Sequence, residues 1–420
     1  MIWIGAIIVL LSFILIVKKV EARAVLIVAG LLMCILSGQE ALAGAFDAFI
    51  GQLLDDGMVP TIVFASGFSA LMNHLDCTNH LVHAIAKPMH KLGFFALAFS
   101  TLATCLVNAA VPSASSTSVA VGSLFIPILM SLGYSPATAA SSVLLGTFGG
   151  NLNPGASLTA QVAEITGFST TEVWFYMLKA GGIIVVVAMI VSVVSDKVFA
   201  SISAKHGQQA QIDPVEIGDD FKVDPLKAIC PLIPIVLILI GVTGLLPDLP
   251  IPVWMTVGAI IAMVIDHKNT NTSIKKFFGG AGNAFGNIIT LLGAAGLFTY
   301  GIEAIGLTSV LISVMENSAS VARISSVGIP VVMGALTGSG NAATAAFNGA
   351  ILPHAAELGF NPIHMGAAAA ISGAFGRFMS PVSGACIICA GYANNIDTME
   401  ITKRNFVPAI IMGIVMMILI

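Results

Sequence analysis

The chain has 420 residues, 57% of them hydrophobic and 9% charged, with a mean hydropathy of +0.98 and a formal net charge of −4. A water-soluble domain carries about 25% charged residues, so this composition excludes a soluble fold, and no nucleic-acid partner is expected. Apolar runs near the roughly 20 residues that a spanning helix needs recur from end to end, so the chain reads as an all-α polytopic membrane protein in contact with the lipid bilayer.

The first apolar run, residues 2–17, has no basic residue before it and Lys18, Lys19 and Arg23 after it. A cleaved signal peptide has the opposite polarity, so this run is expected to be the first span, with its N-terminus outside. Further full spans are expected near 24–38, 57–73, 172–196, 228–246, 252–266, 286–302 and 405–420. The stretches 39–56 and 74–92 are amphipathic and suit the membrane interface; residues 197–227 form the one sizeable hydrophilic loop. Four long apolar segments, 93–131, 136–166, 325–353 and 363–395, are interrupted by Gly, Pro, Asn or Ser clusters. Cys386 and Cys389, spaced as in a redox pair, lie in a Gly/Ala-rich apolar run and read as small helix residues.

Basic residues test the topology. With 93–131 and 325–353 as re-entrant hairpins and 136–166 and 363–395 as spans broken midway, 14 of the 17 basic residues share one side. The positive-inside rule makes that side cytoplasmic. The expectation is about 10 transmembrane helices plus two hairpins and two broken helices, both termini periplasmic, in a bacterial inner membrane.

An internal repeat supports the same division. A shift of 226 residues brings IPILMSLGYSP (126–136) onto LPHAAELGFNP (352–362), matching Pro127 with Pro353, Gly133 with Gly359 and Pro136 with Pro362. One residue more in offset brings GTFGGNLNPGAS (146–157) onto GAFGRFMSPVSG (373–384). The hairpins open from opposite sides in this topology, so the two repeats are inverted. Paired interrupted segments in inverted halves point to the binding site of a secondary transporter, because irregular backbone at membrane depth is tolerated only where it is buried or lines a cavity. The expected parts are 1–92 and 226–324 as scaffold, 93–200 and 325–420 as transport part, and 201–225 as a cytoplasmic linker.

Candidate binding residues come from the hairpin tips and the breaks. The first tip offers Ser113, Ser115, Ser116 and Thr117, and the second Ser339, Asn341 and Thr344. Their oxygens can bind a carboxylate, hold a small cation, or simply cap helix starts. A candidate cation site is Ser115, Thr117, Asn151, Ser339 and Asn341. The breaks offer Asn151 and Asn153 in one half, and Arg377, Ser380 and Ser383 in the other. An Arg mid-span costs roughly 2.5–3.5 kcal/mol even on the mild insertion scale. No Asp or Glu lies near its expected depth, so an anionic substrate is the simplest missing partner, since guanidinium matches carboxylate bidentately; contact with carbonyls is the structural alternative. The histidines show no metal spacing, and no metal or organic cofactor is expected.

The segment GAFGRFMSPVSG, the hairpin ending in NGAILP and the VPSASSTS region resemble the ion transporter superfamily, and within it the anaerobic C4-dicarboxylate carrier family called DcuC. The resemblance implies an elevator-type mechanism, usually in a homodimer, with succinate, fumarate or malate taken up, exchanged or exported. Sodium-coupled dicarboxylate carriers of the superfamily have Ser-Asn-Thr at both tips. Here the tips read Ser115-Ser116-Thr117 and Ser339-Gly340-Asn341, which leaves proton coupling, sodium coupling and plain exchange open. The alternatives are a carrier for another organic anion or an amino acid, a passive channel, and an intramembrane hydrolase using Ser339 with His354 or His364. The repeat argues for transport rather than enzymatic activity.

Overall fold

Long apolar sequences with Gly and Ala at close spacing fold into helices that pack backbone to backbone, and every regular element among the described residues is a helix. The computed structural model describes residues 2–18, 20–56, 58–86, 89, 92–205, 221–247, 249–310, 319–338 and 340–420.

The first half begins with α1 (Ile2–Val17), α2 (Ala22–Ser37), α3 (Gln39–Leu53), α4 (Met58–His74) and α5 (Cys77–Ala86). Glu21 caps α2 by accepting from the Ala24 amide at 2.9 Å. The segment 93–131 is two helices, α6 (Ala96–Ala110) and α7 (Ala114–Ser131), joined by only Val111, Pro112 and Ser113. The turn is tighter than the sequence suggested, and Ser115, Ser116 and Thr117 belong to the first turn of α7. The segment 136–166 is α8 (Pro136–Gly146), a 3₁₀ stretch Thr147–Leu152, and α9 (Ser157–Thr166), followed by α10 (Thr170–Lys205).

The second half comprises α11 (Pro225–Ile229), α12 (Ile233–Val242), α13 (Ile251–Ile265), α14 (Thr270–Ala284), α15 (Thr290–Ala304), α16 (Ala319–Thr337), α17 (Asn341–Ile351), α18 (Pro362–Phe378), α19 (Gly384–Tyr392) and α20 (Thr398–Leu419). A π-helical turn, Phe285–Ile289, joins α14 to α15. The span expected at 286–302 is therefore the end of a helical rod running over Thr270–Ala304. Lys275, Lys276 and the glycines between 279 and 286 hide its first half in sequence. Gly280 of α14 and Gly67 of α4 let the two helices lie together: a methyl group on Gly280 would meet the Ser66 carbonyl oxygen at 2.9 Å, and one on Gly67 would meet that of Phe277 at 2.9 Å. The span expected at 228–246 is divided at Cys230–Leu232, where Pro231 and Pro234 interrupt the backbone donors. The hydrophilic loop is shorter than expected, because α10 continues to Lys205.

Five helices among the described residues are long and apolar enough to cross a membrane, and a sixth if the bent pair α3–α4 is one span. The expected count of about 10 includes shorter apolar helices such as Ile2–Ile16, Ala22–Ser37 and Ile251–Ile265.

Packing is reciprocal between the halves. Helix α4 packs on α13 and α14, and α15 on α2 and α3; α7 packs on α19, and α17 on α9. Within each half the helix before the break lies along a hairpin arm, α8 on α6 and α18 on α16. Two glycines make that approach possible. A methyl group on Gly149 would overlap the carbonyl oxygen of Cys105, and one on Gly376 that of Val331. Replacing either glycine by Ala should cost about 1–3 kcal/mol or more through overpacking, seen as a lower melting midpoint of the detergent-solubilised protein. Gly182→Ala, where nothing lies within 4 Å, should leave the midpoint unchanged.

Candidate substrate site

The first hairpin turns where α6 runs into Pro112, which has no N–H to continue a helix. Ser113 then caps α7, its Oγ accepting from the Ser116 amide at 3.3 Å and donating to Ser116 Oγ at 2.9 Å. The turn is held from below by Asn108, a fully buried side chain in the last turn of α6. Its Oδ1 accepts from the Gly150 amide at 2.5 Å, and its Nδ2 donates to Thr117 Oγ1 at 3.0 Å and to the Val111 carbonyl at 3.3 Å. One amide thus joins the arm, the turn, α7 and the break.

A break in a helix leaves orphan carbonyls and amides that must find partners when buried. At the first break, Trp174 Nε1 donates to the Leu152 carbonyl at 2.7 Å. Asn153 donates to the Ala109 carbonyl at 2.7 Å and accepts from the Gly155 amide at 2.8 Å. Asn151 reaches into the other half, donating to the Ala370 carbonyl at 2.8 Å. The return contact comes from Arg377, in the last turn of α18. Its guanidinium donates to the Thr147 carbonyl at 2.8 Å, with Thr147 Oγ1 at 3.4 Å. The Nε of Arg377 is buried with no hydrogen-bond partner among the described residues.

These elements enclose a cavity of about 440 Å³. Its walls are the first hairpin turn, the first break, α4, and the end of α14 with its π-helical turn, with Asn341 and Arg377 entering from the second half. Six asparagines line it: Asn73, Asn108, Asn151, Asn283, Asn287 and Asn341. Arg377 is the only charged residue among the lining residues, and no carboxylate is among them. A cavity with fixed neutral dipoles and one cation is suited to a small anion.

Of the residues expected from sequence, Ser113, Ser116, Asn151, Asn341 and Arg377 line this cavity. Thr117 and Asn153 are buried beside it, and their side chains serve the hairpin and the break. Ser115 is exposed and turned toward α19, where a methyl group on Gly384 would meet its Oγ at 3.4 Å. Thr344, Ser380 and Ser383 are buried outside the lining, and their hydroxyls have no partner among the described residues. Ser339 lies outside the described residues. Of the described members of the candidate cation set, Asn151 and Asn341 line the cavity and Ser115 and Thr117 do not. No group of three His, Cys, Asp or Glu able to hold a metal occurs among the described residues. His354 sits 3.2 Å from Glu357, and His364 stacks on Tyr176 at 4.1 Å; neither lines the cavity.

Sequence reasoning missed Asn108, Thr147 and the lining residues of α4 and α14. The available signal was a lone Asn in an otherwise apolar or small-residue helix, as in CLVNAA and GGAGNAFGN.

The sequence matches the family described as the C4-dicarboxylate anaerobic carrier, DcuC, over residues 2–420. It is 28% identical over 440 residues to the anaerobic C4-dicarboxylate transporter DcuC of Escherichia coli K12, covering 96% of this chain and 92% of that one. It is 35% identical over 281 residues to an uncharacterized transporter of Haemophilus influenzae, covering 64% of this chain and 99% of that one. Among solved structures, the Alcanivorax borkumensis YdaH transporter superposes with a TM-score of 0.65 at 12% identity, covering 97% of both chains. Neisseria gonorrhoeae MtrF superposes with a TM-score of 0.61 at 14% identity, covering 90% of this chain and 83% of that one. At these identities the two structures share the fold alone. The protein is a multi-pass membrane protein and belongs to the DcuC family of C4-dicarboxylate anaerobic carriers.

Proposed function

We propose that the protein is a secondary carrier of C4-dicarboxylates such as succinate, fumarate and malate, and that it binds them in the cavity at Arg377. The observation that carries this reading is the guanidinium itself. It enters a polar cavity with no carboxylate among its lining residues, holds one carbonyl of the first break, and keeps a buried Nε without a partner among the described residues. A substrate carboxylate would complete its hydrogen bonding, in the paired geometry that Arg favours. Ser113, Ser116 and the N-terminal end of α7 suit the same anion, since a helix start is positive.

The mechanism proposed is of the elevator type, in a homodimer of the bacterial inner membrane with both termini periplasmic. The transport part is 93–200 with 325–420, and the scaffold is 1–92 with 226–324, the two halves being inverted repeats. The reciprocal packing of α7 on α19 and α17 on α9 supports this division, as does the recurrence of the Gly149–Cys105 contact at Gly376–Val331. Uptake, exchange and succinate efflux are all compatible with the site, as are proton and sodium coupling.

Arg377→Ala should abolish succinate counterflow in proteoliposomes, and Arg377→Lys, which keeps the charge but loses the fork, should retain only a small fraction. Near-normal transport by the Ala variant would exclude the assignment. Unlabelled fumarate and malate should compete with labelled succinate at concentrations close to that of succinate itself; stronger competition by an amino acid or a tricarboxylate would favour another substrate class.

Asn108→Leu keeps the side-chain volume but leaves the Gly150 amide without its acceptor. Stranding a buried amide costs about 1–3 kcal/mol, so succinate affinity should fall by about 10-fold or more in binding measured by calorimetry on the purified protein. Unchanged affinity would mean that the hairpin turn is held without this side chain.

A further inference from the structure

Besides Arg377, the cavity is lined by Asn73 from α4 and by Asn283 and Asn287 from the junction of α14 with the π-helical turn. The hydrogen bonds between Asn283 and Asn287 identify the oxygen and the nitrogen of those two amides. Asn287 Nδ2 donates to the backbone carbonyl of Asn283 at 3.0 Å. A carbonyl only accepts, so that nitrogen is identified, and the Asn283 side-chain atom 2.6 Å from it must be the oxygen. With Oδ1 engaged by Asn287, Nδ2 is the donor end of Asn283, a residue that lines the cavity. On α4, Asn73 Oδ1 accepts from Thr78 Oγ1 at 2.8 Å, and Asn73 lines the same cavity. Two side chains from two helices, each with its oxygen engaged by a donor, therefore bring amide N–H groups to the cavity that Arg377 also lines.

The π-helical turn explains how Asn287 comes to do this. One wide turn at Phe285–Ile289 shifts the helical register, and such turns recur at functional positions. Here it lets the Asn287 side chain fold back one turn to reach both Asn283 oxygens.

We infer that Asn73 and Asn283 form a second anion subsite, which takes the carboxylate of a bound dicarboxylate that Arg377 does not hold, with Asn287 as the positioning residue. This rests on the reading that the cavity binds a dicarboxylate at Arg377. It adds that selection of di- over monocarboxylates resides on α4 and α14, on the scaffold side, so it acts while the transport part lies against the scaffold and is released as that part moves. Neutral amide donors are suited to this role, because they bind a carboxylate without adding a second buried cation.

The test is equilibrium binding of succinate, and of butyrate as a C4 monocarboxylate, to the purified full-length protein, paired with succinate counterflow. Asn73→Ala and Asn283→Ala should each weaken succinate by about 10-fold or more and leave butyrate unchanged. Asn283→Asp, which replaces a donor by a charged acceptor, should lose succinate altogether. Asn287→Ala should weaken succinate less, and Asn287→Gln should restore part of the loss. Arg377→Ala should lose both ligands. Three results would overturn the subsite: unchanged succinate affinity in the Asn73 and Asn283 variants, equal loss of succinate and butyrate in them, or unchanged affinity with slowed counterflow, which would make these residues part of a sliding contact only. If those variants keep succinate while Arg377→Ala loses it, only the subsite fails. If Arg377→Ala binds both acids normally, the underlying assignment fails first.

Discussion

The structure depends on one constraint: two helices stop in the middle of an apolar protein, and their freed backbone groups must be satisfied without bulk water. The solution used in both halves is to press the helix before the break onto a hairpin arm until backbone meets backbone. Gly149 against the Cys105 carbonyl and Gly376 against the Val331 carbonyl are the points of closest approach. Any larger side chain would separate the pairs. The break would then move away from the groups that complete it, namely Asn108 and Trp174 in the first half.

From that shared frame the halves diverge. The first half finishes its break with its own side chains, since Asn108, Asn153 and Trp174 bind its amides and carbonyls. The second half leaves Thr344, Ser380 and Ser383 without partners among the described residues and sends Arg377 across to Thr147. Asn151 crosses the other way, to the Ala370 carbonyl. These two reciprocal contacts bring both breaks to one cavity, where both halves supply amide dipoles and the second supplies the charge.

Much of this was legible in the sequence because it is carried by residues with unusual backbone rules. Pro112, Pro136, Pro362 and the glycine runs at 149–150 and 373–376 mark where helices must start, stop or touch, and the interrupted segments followed from them. Arg377 was legible because a charge in an apolar span is costly enough to need a reason. What stayed hidden depends on direction rather than type. Thr117 and Asn153 have the chemistry of ligands, but hydrogen bonds to Asn108 and the Ala109 carbonyl turn them into braces. Ser115 points toward α19 because it sits in a helical turn rather than at the tip. The contribution of α14 was invisible because Lys275, Lys276 and three glycines obscure its apolar face, although α4 covers it.

The charge of the cavity bears on how a carrier of this kind can cycle. Empty, it holds one guanidinium with no carboxylate among its lining residues. With a dicarboxylate dianion, the same space carries one net negative charge. Desolvating an uncompensated charge costs several kcal/mol even after relaxation, so both states meet resistance if the site must pass through an apolar barrier. Exchange of one dianion for another avoids the empty passage altogether, since the site is refilled before it returns. A single accompanying proton or sodium ion would instead make the loaded site neutral, and would leave only the empty return step charged. The number of fixed charges at the site thus separates the two cycles. In obligate exchange the empty step is the forbidden one, whereas a symporter needs a route that screens Arg377 on the way back, and the Thr147 carbonyl, already 2.8 Å from it, is the group in position to do so.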